Sequence, residues 1–107
     1  MSYSIDKAVF ERYAKEISDL ANICFDTPGY TLYHVEVCCV LADYNDGLGN
    51  RVISRALVRN PSKNIYDLVE DALGPPEDAL KLMLNNLKQK AEKDFPNKYK
   101  AKLLKSN

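Results

Sequence analysis

Apolar residues recur along this chain with two different periods, and the change of period divides it into elements. Ile5, Val9, Tyr13, Ile17, Leu20 and Cys24 stand three or four residues apart, with Phe10, Ala14 and Ala21 widening the stripe. That spacing predicts an amphipathic helix. Ser4 is a suitable N-cap, and Glu11, Lys15 and Asp19, with Arg12 and Glu16, form oppositely charged i,i+4 series on the polar side. Asp26-Thr27-Pro28-Gly29 stops the helix, since proline cannot continue it and Pro-Gly favours a turn.

From Tyr30 the period becomes two. Tyr33, Val35, Val37, Cys39 and Leu41 fall on one side of an extended segment, and His34, Glu36, Cys38, Val40 and Ala42 on the other. The first set is expected to face the core. Asn45-Asp46-Gly47-Leu48-Gly49-Asn50 has the composition of a hairpin loop, and a second alternating run follows to Arg59. Pairing residue 44 with 51 brings Val52, Ala56 and Val58 to the side of Leu41, Cys39 and Val37. It also sets Glu36 opposite Arg59, Val40 opposite Arg55 and Tyr44 opposite Arg51. Ile53 and Leu57 then alternate with three arginines on an outer face that is neither plainly core nor plainly solvent.

Beyond Arg59, Asn60-Pro61-Ser62 breaks the strand, and Asn64 is placed to cap a short helix with Ile65, Leu68, Val69 and Leu73 buried and Gly74 as its stop. Pro75-Pro76-Glu77-Asp78 opens a further helix with proline in the first turn and carboxylates at the positive end of the dipole. Its stripe is Leu80, Met83, Leu84, Leu87 and Ala91, and Pro96 ends it by Phe95. Residues 97–107 are expected to be a basic tail, either mobile or docked as a short helix. The predicted fold is α+β with the order α-β-β-α-α, one domain over residues 1–107, its helices on one face of an antiparallel hairpin sheet. Two strands alone leave both edges open, so a third short strand, the C-terminal segment, a second copy of the chain (a homodimer) or a foreign partner is expected to cover them.

Composition adds few restrictions. An apolar fraction of 46% and a charged fraction of 28% are those of a folded globular domain. No apolar run approaches membrane-spanning length and the N-terminal residues lack a secretory layout, so a cytoplasmic protein with no membrane partner is expected. Cys24, Cys38 and Cys39 have no C-x-x-C spacing and suit free thiols in a reducing compartment. The net charge of zero conceals a division: residues 1–80 carry 7 basic and 13 acidic side chains, residues 81–107 carry 8 and 2. A basic end on an acidic body suits either a nucleic-acid-seeking tail or lysines lying over that body.

Candidate chemistry is sparse. His34, Glu36 and Cys38 are metal-ligand types on one strand face, but i and i+4 on a strand stand about 13 Å apart and do not close on one ion without a bend. Glu70-Asp71 and Glu77-Asp78 are adjacent, not convergent, carboxylates, and the loop G-x-G lacks the strand-to-helix setting of a dinucleotide site. No catalytic residue, metal site or cofactor is therefore assigned. The expected function is a small non-enzymatic interaction module of the inhibitor, immunity or adaptor kind, docking on a partner protein. Tyr44, Arg51, Ile53, Arg55, Leu57 and Arg59 would form its interface, and Asp43, Asp46, Asp67, Glu70, Asp71, Glu77 and Asp78 its acidic surface. The alternative is a nucleic-acid-binding accessory protein using Arg51, Arg55 and Arg59 with Lys98, Lys100, Lys102 and Lys105.

Overall fold

The computed structural model describes residues 4–43 and 45–105. Its first element, α1 (Lys7–Cys24), is the predicted amphipathic helix, but Asp6 caps it instead of Ser4. Asp6 is extended, and its carboxylate accepts the N–H groups of Ala8 at 3.0 Å and Val9 at 3.2 Å. A full negative charge at the positive end of the helix dipole adds to the hydrogen bonds that a cap supplies.

Two polar residues on the buried side of α1 hold the chain as it enters the sheet. The Asn22 side chain donates to the carbonyls of Ser18 at 2.8 Å and Thr31 at 2.7 Å, and accepts the Thr31 N–H at 2.8 Å. Ser18 Oγ accepts the Tyr33 N–H at 2.9 Å. The backbone of residues 31–33 is thereby hydrogen-bonded to the helix before the first strand begins, and none of these buried groups is left unpaired.

The sheet has three antiparallel strands in the order β1 (His34–Asp43), β2 (Asn50–Arg59), β3 (Leu68–Leu73). The observed hairpin pairs Asp43 with Asn50, Val40 with Ile53, Cys38 with Arg55 and Glu36 with Leu57. Each predicted partner of residues 36–43 thus gives way to one two residues earlier on β2, which preserves the inner and outer faces because side chains alternate with period two. Residues 36, 40 and 42 therefore face Leu57, Ile53 and Arg51. The Asp43 carboxylate fixes the end of β1 by accepting the Asn45 N–H at 2.9 Å, and Asn45 turns the chain at a positive φ of 58°.

The segment predicted as a helix from residue 64 is instead a turn followed by β3. Asp67 accepts the Asn60 N–H at 2.7 Å and its own N–H donates to the Val58 carbonyl at 2.8 Å, folding residues 60–67 back beside β2. There β3 satisfies the backbone groups along one edge of β2, a gain that no local helix provides. The sheet consequently has the extra strand that an isolated hairpin needs, in the order α-β-β-β-α-α. Gly74 then turns the chain into α2 (Pro76–Asp94): its φ is 111°, and a Cβ there would lie 2.9 Å from an Asp78 carboxylate oxygen. Pro96 opens α3 (Pro96–Lys105), from which Tyr99 packs against the core.

All helices that reach the sheet lie on its inner face. Ile17, Leu20, Ala21 and Cys24 from α1 meet Leu80, Met83, Leu87 and Ala91 from α2 over Tyr33, Val35, Ala56 and Val58. The layer stops short of the hairpin loop. Leu41, expected in the core, is 70% exposed, and Cys39 is only partly buried, its Sγ 3.2 Å from Ser54 Oγ. The molecule is accordingly elongated, 48 × 26 × 25 Å, with a radius of gyration of 15.2 Å, against about 13 Å for a compact chain of this length. Among the described residues no helix is long and apolar enough to cross a membrane.

The core makes two predictions. Leu80 is wholly buried, so Leu80→Ala should lower the unfolding free energy by about 2–5 kcal/mol in a urea titration. Burial pushes the Cys24 thiol up to about 11. Because the unfolded thiol ionises lower, near 8.5, this contribution to stability is complete below that pH and is lost as pH rises towards 11. A thiol reagent at mildly alkaline pH should label Cys38 readily and Cys24 only after denaturation, whereas equal labelling rates would contradict the burial.

Candidate interaction surface

The strand register arranges the outer face as rows across the sheet. Val40, Ile53 and Leu73 form an apolar row, Cys38, Arg55 and Asp71 a polar one, and Glu36, Leu57 and Val69 a mixed one. Among the described residues no helix lies over them: Val40 is 53% exposed, Leu73 59% and Val69 43%, while Ile53 and Leu57 are half-buried by their neighbours. Tyr44, the remaining member of the predicted interface, lies outside the described residues.

Each arginine on this face is bound by the chain itself. Arg55 donates to both carboxylate oxygens of Asp71, from Nε at 2.7 Å and from an amino group at 3.0 Å. Arg51 pairs with Asp46 of the hairpin loop, and Arg59 donates to the Lys63 carbonyl at 2.7 Å. At the opposite end from the loop, Glu36 receives His34 at 2.7 Å and the Tyr66 hydroxyl at 3.0 Å. These two hydrogen bonds, His34 first, hold the Glu36 carboxyl below its ordinary range, and the same carboxylate raises the Tyr66 phenol. The face therefore carries apolar rows crossed by two closed ion pairs, with the third arginine, Arg59, held by a backbone carbonyl.

The other predicted residues do not converge. Asp43 and Asp46 bind loop N–H groups, and Asp67 joins Lys63 at 3.0 Å and closes the turn before β3. Glu70 points to the inner face and Asp71 to the outer, as neighbours on a strand must. Glu77 accepts the Tyr13 hydroxyl at 3.1 Å, and Asp78 sits exposed in the first turn of α2. The predicted acidic surface is thus dispersed over the loop, the turn, both sheet faces and α2. Of the lysines, Lys98 pairs with Asp26 and Lys102 with Glu16 at 3.2 Å, so α3 lays its charges against the acidic first third of the chain, while Lys100 and Lys105 face outward.

Reasoning from sequence missed Val69, Leu73 and Tyr66 as members of the outer face, because residues 64–73 read equally well as a short helix. The available signal was indirect: a two-stranded sheet with an apolar outer face needs further pairing. Among the described residues no group of three or more His, Cys, Asp or Glu side chains could hold a metal ion.

Asp71 is held below the ordinary carboxylate range, first by its hydrogen bond to Arg55. A carboxyl depressed in this way stabilises the folded chain above its unfolded titration range, and that contribution is lost as pH falls through the lowered value. In an NMR pH titration Asp71 should titrate below a typical exposed aspartate, and Arg55→Gln should move it up. An unchanged midpoint in Arg55→Gln would show that the pair is not closed in solution.

Comparison with known proteins supplies no relative: no family model, no curated protein and no solved structure matches the chain.

Proposed function

We propose that this protein is a small non-enzymatic interaction module, of the inhibitor or adaptor kind, that docks on a partner protein through the outer face of its sheet. One observation carries the reading: on the face opposite the helices, Val40, Ile53 and Leu73 form one apolar group and Leu57 and Val69 another, with the Arg55–Asp71 pair between them. Exposed apolar patches rimmed by polar groups mark interaction sites more often than solvent-facing surface. The Arg55–Asp71 pair adds orientation, since a rigid bidentate pair presents fixed donors and acceptors to whatever covers it.

The strand arginines support this reading over nucleic-acid binding. Each is engaged by a carboxylate or carbonyl of the same chain, so contact with phosphate would first have to break or share those bonds. The dispersed carboxylates supply local caps and closures, and the apolar groups remain as the feature without an internal use.

The test is a pull-down with the tagged chain from lysate of the source cells, with and without nuclease, repeated with Leu73→Asp and Val69→Asp. A protein partner should be retained after nuclease treatment and lost with either variant, while circular dichroism and thermal unfolding stay those of the parent. Recovery that requires intact nucleic acid, or a partner held equally by both variants, would overturn the proposal.

A further inference from the structure

The free edge of β1 is a second surface, distinct from the outer face. Gly74 N–H donates to the Val52 carbonyl at 3.0 Å, which makes residues 52 and 74 a hydrogen-bonded pair in the β2–β3 register. Such pairs alternate along an antiparallel ladder. Even-numbered residues of β2 therefore direct their backbone groups to β3, and odd-numbered ones to β1. In the β1–β2 register, odd β2 residues face even β1 residues. The backbone groups of Val37 and Leu41 consequently point away from β2, to the side on which no strand of the described chain lies.

Natural edge strands are protected by charge, proline, a bulge or brevity. β1 has ten residues, and its pairing to β2 runs without interruption. Residues 37–42 are Val-Cys-Cys-Val-Leu-Ala, with neither charge nor proline. Val40 on the outer side and Leu41 on the inner side are both exposed there, beyond the end of the helical layer.

We propose that β1 pairs antiparallel with β1 of a second copy of this chain, about a two-fold axis at residues 38–40, to form a six-stranded sheet. Continuity of the two faces requires inner residues to lie opposite inner residues, so the axis passes through a residue position. With the axis at residue 39, Val37 stands opposite the partner's Leu41 and Glu36 opposite the partner's Ala42. Neither His34, Glu36 nor Asp43 then meets a like charge, and the chain's net charge of zero adds no repulsion between copies. The same symmetry separates the helical layers. In each copy they cover the half of β1 around Val35 and leave the half around Leu41 open, so the covered half of one strand lies beside the open half of the other. Leu41 thereby gains a second apolar neighbour on the inner face, beside the Val52 that stands opposite it on β2.

This pairing uses a different surface from the outer face, so the two proposals fail separately. The experiment is light scattering of the full chain over a wide concentration range, with Leu41→Lys and Leu73→Asp as variants and hydrogen exchange as a second readout. The parent should approach about twice the 12.1 kDa of one chain. Leu41→Lys should remain at the mass of one chain with unchanged circular dichroism, and Leu73→Asp should still dimerise. In the parent, the amides of Val37 and Leu41 should become protected as concentration rises. A monomer at every concentration would overturn the proposal. So would a dimer that Leu73→Asp dissociates and Leu41→Lys does not, or one in which those two amides exchange freely.

Discussion

Ser18 and Asn22 determine where the helical layer sits on the sheet. Their hydrogen bonds to residues 31–33 attach the start of β1 to the last turns of α1. Once that attachment is made, α1 is registered on the sheet at the beginning of the first strand. The apolar stripe of α2 then packs beside α1 and over Ala56 and Val58. Such polar groups, Ser18 buried and Asn22 partly so, and both paired, specify an arrangement that apolar packing alone would leave free to slide.

The uneven coverage follows from this anchoring. Helices rise 1.5 Å per residue and strands about twice that, so a hairpin of ten-residue strands extends past a helical layer fixed at one end. The overhang carries Val40, Leu41, Val52 and Ile53 away from the main core, which accounts for the elongated outline. The functional surfaces arise from the same geometry. Among the described residues, an outer face without helices and an edge without a neighbouring strand are what remain when one layer covers one side of three strands.

Electrostatics here act locally. The acidic and basic parts of the chain do not form opposing fields, because α3 places Lys98 and Lys102 against α1 and the loop after it. The outer arginines are closed by Asp46, Asp71 and a backbone carbonyl. Exposed pairs of this kind contribute little stability individually. The consequence is that two of the three arginines on a face the sequence presents as strongly cationic are neutralised, which brings its apolar rows forward.

The elements with strong local signals were legible without coordinates: the stripe from Ile5 to Cys24, the hairpin around the Asn45–Asn50 loop, and the Pro75-Pro76 start of α2. Period and turn chemistry are properties of neighbouring residues, so the chain itself specifies them. The faces of the hairpin were legible for the same reason, even though its register differed by two residues. What the tertiary structure decided was β3, the length of sheet the helices cover, and the pairing of each arginine. Leu68 to Leu73 forms a strand because β2 offers unpaired backbone groups beside it, a partner that residues 64–73 do not carry within themselves. Leu41 is exposed and Arg55 is closed by Asp71 because of residues distant in sequence; those contacts exist only once α1, α2 and β3 have found their places on the sheet.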